Sequence, residues 1–192
     1  MKLERFAACA GLLVLVSACA ERVPPASPDL SEATEQEQGG EQSRRQAAAK
    51  IQSAAGTKLA GDARLVEEDG AVTITVEVAD APPGSKGIHI HERGDCSDPK
   101  GKSMGEHFAP NHKEHGFPTQ GGSHHLGDLG NISIGPDGKG QLEIKVAAAN
   151  LRPGDPMSFV GKAIIIHEGE DTGAQPSGGA GDPIACGAIE QK

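Results

Sequence analysis

Residues Ala71-Val72-Thr73-Ile74-Thr75-Val76-Glu77-Val78 alternate apolar and polar side chains with period two. That is the spacing of a strand with one face buried. Similar short stretches recur at Ala47–Ser53 and Lys58–Leu65 around Gly56, and at Gly87–His91. Further along come Asn131–Ile134 and Gly140–Val146 around a Pro136-Asp137-Gly138 turn, the β-branched run Gly161–His167, and Ile184–Ile189. No segment shows a capped 3.6-residue period, so helices are not expected to organise the chain. The core must come from Val, Ile, Leu and Ala, since the chain has four Phe and no Tyr or Trp. Seven or eight short strands separated by turn residues predict an antiparallel sandwich or barrel. Two long stretches, 93–130 and 168–183, lack strand pattern, and loops of that length in a compact domain need a reason.

The N-terminus reads as a targeting segment. Lys2 and Arg5 precede an apolar stretch from Phe6 to Val16, too short to span a bilayer and suited to export. Val16-Ser17-Ala18-Cys19 resembles a bacterial lipobox. The expectation is a lipoprotein signal over 1–18, with acyl chains on Cys19 holding the protein to a membrane. An ordinary signal peptide containing Cys19 is the competing reading. Residues 20–46, with Pro24, Pro25, Pro28 and a Glu/Gln/Ser run, bury too little to order themselves and are expected to form a tether. The folded domain is then 47–192, at the periplasmic or extracytoplasmic face of the cell envelope. Export also explains the cysteines: Cys9 leaves with the signal and Cys19 takes lipid. Cys96 and Cys186 remain as an even pair in an oxidising compartment, which reads as a disulfide.

All eight histidines lie after residue 88. His89 and His91, two apart in a strand, point to one face, where two imidazoles can grip one ion. His107, His115, His125 and Asp128 fall in the first patternless stretch, and His167 ends the β-branched run. A metal there would order loops that no strand pairing orders.

These motifs resemble the copper/zinc superoxide dismutases. Gly87-Ile88-His89-Ile90-His91-Glu92 with Gly94-Asp95-Cys96 is similar to their copper-ligand strand. His107-Phe108 with Pro110, His115-Gly116, and His125-Leu126-Gly127-Asp128-Leu129-Gly130-Asn131 resemble their zinc loop. His167-Glu168 resembles the last copper ligand, and Ala185-Cys186-Gly187 with Ile189 the closing strand. The resemblance covers about residues 47–190. It implies an all-β, eight-stranded antiparallel Greek-key barrel with two long functional loops. It implies copper on His89, His91, His107 and His167, and zinc on His107, His115, His125 and Asp128. His107 is then shared as a bridging imidazolate and serves as the catalytic proton carrier. Asp171 matches the carboxylate that ties a copper ligand to a zinc ligand. His112 and His124 have no place in the scheme and read as solvated, although His124 could compete with His125 for zinc.

One position departs from the family. Where the family carries an arginine that docks superoxide, three residues before the closing cysteine, this chain has Pro183, with Asp182 beside it. The formal net charge of −9 does not help an anionic substrate. Lys86, Lys113 and Lys162 are candidates to compensate. The expected activity is therefore dismutation of superoxide to oxygen and hydrogen peroxide at reduced efficiency. The alternative is a copper-binding or copper-handling lipoprotein with little turnover. Expected partners are superoxide and a membrane; nucleic acid is not among them, and a homodimer is compatible with the sequence.

Overall fold

The computed structural model describes residues 44–192 apart from Ala55 and Pro99. The signal segment 1–18, Cys19 and nearly all of the tether lie outside the described residues. Strands run β1 Arg45–Ser53, β2 Ala60–Glu68, β3 Ala71–Ala79, β4 Gly84–His91, β5 Asp128–Ile134, β6 Gly140–Ala147, β7 Ala163–His167, β8 Pro183–Ala188 and β9 Glu190–Gln191. Among the described residues there is no α-helix, only a 3₁₀ turn at Pro118–Gln120.

Neighbours run β2-β3-β6-β5-β4-β7-β8-β1, and β1 pairs β2 again, so eight antiparallel strands close on themselves. Closure removes the exposed edges that an open sheet would present. The short β9 adds to β1 through Ala47↔Gln191 and Ala48↔Glu190. Connections skip neighbours, with β3 beside β6 and β4 beside β7, which is the Greek-key arrangement.

Alternation becomes burial most plainly in β3, where Val72, Ile74 and Val76 are fully buried. They meet Leu65, Ile88, Ile90, Ile132, Ile164, Ile166 and Phe159 in one core. β7 breaks the alternation because both of its faces are covered. Ile164 and Ile166 point into the barrel, while Ala163 and Ile165 pack outside it with Met104 and Cys186. A strand buried on two sides reads as a continuous apolar run.

Several boundaries move. β1 begins at Arg45, two residues before the expected domain start, where Arg45 pairs with Glu67 across the ladder. β4 begins at Gly84, three residues earlier than expected, because Pro82 and Pro83 end before it. β5 begins at Asp128, inside the stretch expected to be loop, and Asp128 is the register partner of His89. The two long connections therefore span 92–127 and 168–182.

Candidate metal centre

In β4, Ile88 and Ile90 face the barrel interior, so His89 and His91 face outward, beneath the two long loops. Burial is nonetheless deep: His89, His107, His115, His167, Asp128 and Asp171 are all at most 8% exposed. The first loop is strapped to β4 by backbone bonds. Phe108 N–H donates to Ile90 O, Ile90 N–H to Gly127 O, and Gly127 N–H to Phe108 O, at 2.7–2.9 Å. These ties bring His107 and Asp128 beside the β4 histidines.

Two four-residue sets form, sharing one member. His89, His91, His107 and His167 make one set; His107, His115, His125 and Asp128 make the other, each with ligand atoms within 4.8 Å of one another. In the second set, the Nδ1 atoms of His107, His115 and His125 lie 2.8, 3.0 and 3.2 Å from Asp128 Oδ1. Ligands held about 2.0–2.1 Å from one tetrahedral ion stand about 3.3 Å apart, so this cluster has the dimensions of a zinc site. Asp128 Oδ2 is occupied separately, accepting the N–H groups of Gly116 (3.0 Å) and His125 (2.8 Å).

The ring nitrogens sort themselves. His89 Nε2–H donates to Asp171 Oδ2 (2.9 Å) and His115 Nε2–H to Asp171 Oδ1 (3.0 Å). His91 Nδ1–H donates to Gly105 O (2.8 Å) and His167 Nδ1–H to Gly181 O (2.9 Å). A neutral imidazole carries one N–H, so each opposite nitrogen is left as a lone pair. Those opposite atoms, His89 Nδ1, His91 Nε2, His115 Nδ1 and His167 Nε2, are buried and have no hydrogen-bond partner. His115 Nδ1 is 3.0 Å from Asp128 Oδ1 but is not aligned for a hydrogen bond. A buried polar atom left unpaired costs about 1–3 kcal/mol. Three such atoms in the first set and one in the second fit metal sites far better than a packed core. The donor chemistry agrees: an all-imidazole set suits copper, and imidazoles with one carboxylate suit zinc.

Burial also disfavours protonation of four of these histidines. It lowers His89 to about 4 and His91 to about 3. His125 and His167 are lowered by the same cause, with the carboxylates of Asp171 and Asp182 pulling His167 the other way. For Asp128, burial pushes upward, but hydrogen bonds from His107 and the Gly116 and His125 amides outweigh it and hold the group at about 2. Asp171 is likewise held below the carboxylate range: burial raises it, and its bonds to His89, Gly173 and His115 overcome that.

The profile of the copper/zinc superoxide dismutases matches residues 59–189. The chain belongs to that family. It is 39% identical over 127 residues to superoxide dismutase-like protein YojM of Bacillus subtilis, with 64% of each chain covered. It thus spans just under two thirds of that relative's length. It is 36% identical over 137 residues to the copper-zinc superoxide dismutase 2 of Aquifex aeolicus, covering 69% of this chain and 80% of that one. Among solved structures, a double mutant of a SOD-like protein from Bacillus subtilis superposes with TM-score 0.66 and 36% identity, covering 74% and 96% of the two chains. The clock protein EA4 superposes with TM-score 0.67 and 30% identity, covering 76% and 93%. The family's metals are copper and zinc, and the two donor sets described above fit them.

The remaining residues fall into place around this centre. Cys96 and Cys186 form a disulfide, with Cα atoms 5.7 Å apart. His112 is exposed and His124 bonds only locally, to Gly122 O, so neither joins a set. Pro183 pairs with His167 and is buried, with Gly101 packed over its ring. Of the lysines, Lys86 Nζ donates to Glu168 O (2.5 Å), Lys162 Nζ sits 4.5 Å from the Phe108 ring centroid, and Lys113 is exposed. The structure also adds residues. Gln175 clamps the His115 backbone, accepting its N–H (3.2 Å) and donating to its C=O (2.9 Å). Asn131 does the same for the Asp171 backbone at 2.8 and 2.9 Å. Gly178, at φ +82°, lies where any Cβ would collide with the Asp171 carboxylate and crowd His115. Asn131 belonged to a recognised motif, whereas Gln175 and Gly178 carried no signal a single sequence offers.

Proposed function

We propose that this chain catalyses the dismutation of superoxide, taking two anions and two protons to oxygen and hydrogen peroxide. His89, His91, His107 and His167 would hold copper, and His107, His115, His125 and Asp128 would hold zinc. Copper in such a set supplies one-electron exchange in both directions, while zinc supplies fixed positive charge without redox chemistry. The residues do the rest. Asp171 and the Gly105 and Gly181 carbonyls hold each ring in the tautomer that aims a lone pair inward. His107 Nδ1 lies on the Asp128 side, which leaves Nε2 for the other set and for carrying a proton to the product. The four unpartnered ring nitrogens are the observation that carries this reading. A copper-handling protein without turnover would have no need of the zinc set, and that set is complete here.

Pro183 offers neither charge nor donor to an anion, so efficiency below that of an arginine-bearing relative is expected. A guiding charge is worth about 0.8 to 3 kcal/mol, or several-fold to a few hundred-fold in rate. Turnover of the copper- and zinc-loaded protein should exceed that of protein loaded with zinc alone, and Pro183→Arg should raise it. Equal turnover of the two loaded forms would sink the enzyme reading. A His107→Ala protein that kept both metal affinities would disprove the shared ligand.

We place the protein at the cell envelope, tethered through lipid on Cys19 after removal of residues 1–18. Detergent partitioning of the native protein, lost in Cys19→Ser, checks that. The reading allows a homodimer, which sedimentation would register.

A further inference from the structure

Within the copper set, His89 is sealed at 0% exposure, whereas His91, His107 and His167 keep 7%, 4% and 8%. A small ligand must arrive along that edge. Each of the three partly open rings has an acidic neighbour in the chain, Glu92, Glu106 and Glu168, and all three acids are exposed. A fourth acid, Asp182, is exposed on the strand side. Its carbonyl accepts the Glu168 N–H at 2.9 Å, the residue before it supplies the carbonyl that holds His167, and the residue after it is the register partner of His167.

Lys100 and Lys102 share a surface pocket with Glu92 and Glu106, and three other nearby cations have partners. Arg93 donates to Ser103 O (2.7 Å) and Lys102 O (3.2 Å) and stands 3.6 Å from Glu92. Lys86 is bound at Glu168 O, and Lys162 lies over Phe108. The stretch 168–183 has Glu168, Glu170, Asp171 and Asp182 but no Lys or Arg. Asp171 is buried and bonded to two imidazoles, so its charge is accounted for. Asp182 forms no ion pair among the described residues. It is exposed, on the segment that holds His167, the most exposed residue of the copper set.

We propose that Asp182 is a specificity-determining residue of this centre: its carboxylate opposes the entry of anions and weakens anionic ligation at the copper set. The effect goes beyond a missing attraction, because it adds a negative charge beside the position where the family carries a positive one. A single charge so placed is worth about two- to ten-fold in anion affinity or encounter rate at low salt, and screening removes it. The consequence for turnover rests on the dismutase reading; the repulsion itself does not.

Azide titration of the copper- and zinc-loaded full chain, followed by visible absorption, tests this without requiring turnover. The unmodified protein should bind azide with an affinity that holds or rises as ionic strength increases. Asp182→Asn should tighten azide about two- to ten-fold at low salt, and Asp182→Lys should tighten it further and make affinity fall with salt. Identical affinities in the parent and Asp182→Asn proteins, or a parent affinity that falls steeply with salt, would overturn the proposal. Dismutase assays on the same proteins separate the two claims. Azide that responds to residue 182 without turnover in any variant defeats the dismutase reading alone. Robust turnover with azide indifferent to residue 182 defeats this inference alone.

Discussion

The wall formed by β1, β2, β3 and β6 and the metal-bearing side formed by β4, β5, β7 and the two long loops are held together in different ways. The first rests on long in-register ladders, nine pairs between β2 and β3 alone, with apolar side chains filling the interior. The second rests on polar side chains reaching between distant segments: Asp171 to His89 and His115, Gln175 to His115, Asn131 to Asp171. Burial energy is non-directional and tolerant. A hydrogen-bonded tautomer is neither. Damage to the wall should therefore cost stability, and damage to the metal-bearing side should cost ligand geometry.

Four measurements sharpen or break that contrast. The largest effect is expected from Ile74→Ala in the wall: about 2–5 kcal/mol of stability lost in denaturant unfolding, with metal affinities nearly unchanged. Lost affinity would mean that the two regions are not separable. Acid titration of the metal-free protein comes next. His89 and His91, near 4 and 3 in the fold against 6.5 in the unfolded chain, let the unfolded chain take up protons first. Stability should fall below about pH 6.5 toward pH 4, with a limiting slope of about 1.4 kcal/mol per unit for each histidine. Asp128 acts the same way lower down: its contribution is full above 3.8 and lost as pH falls through about 2. A flat denaturation midpoint between pH 7 and 5 would contradict this.

Asp171→Asn is expected to weaken both metals about 10- to 100-fold in competition titrations, with little change in the barrel. His89 and His115 bond to different oxygens of Asp171, and an amide puts an NH2 donor in place of one of them, so one ring must lose its acceptor or turn over its proton. Weakening confined to one metal would show that the bridge acts on one side only. The smallest effect belongs to Gln175→Ala, a few-fold loss of zinc affinity with copper affinity unaltered. If both metals weakened together, Gln175 would be holding the second loop as a whole rather than the His115 backbone.

How much of this was readable in the chain divides along the same line. The wall announces itself locally: the alternation of residues 71–78 is β3, because burial of one face is decided strand by strand. The residues that gather into the two donor sets were readable through their motifs, and His112 and His124, which join neither set, were set aside on the same ground. Asp128 looked like a loop residue because strand β5 starts there for a tertiary reason, its pairing with His89. The double burial of β7 could be seen as a β-branched run but not explained without Met104 and Cys186 on its outer side. Gln175 was invisible, since a glutamine sixty residues from its partner shows no spacing to recognise. That Pro183 is buried while Asp182 is exposed likewise needs the loop that places Gly101 over the proline ring.

The carboxylate of Asp171 has one more consequence. It belongs to one long loop, rests on the other through His115, and touches the barrel through His89. Detaching 92–127 alone takes His115 away from Asp171, and detaching 168–182 alone strips both His89 and His115 of their carboxylate partner. In amide hydrogen exchange of the metal-free protein, the amides of 92–127 and 168–182 should open as one cooperative unit, at a free energy below that of the barrel strands. The covering of the metal centre would then move as a single piece of the protein, although the chain supplies it in two.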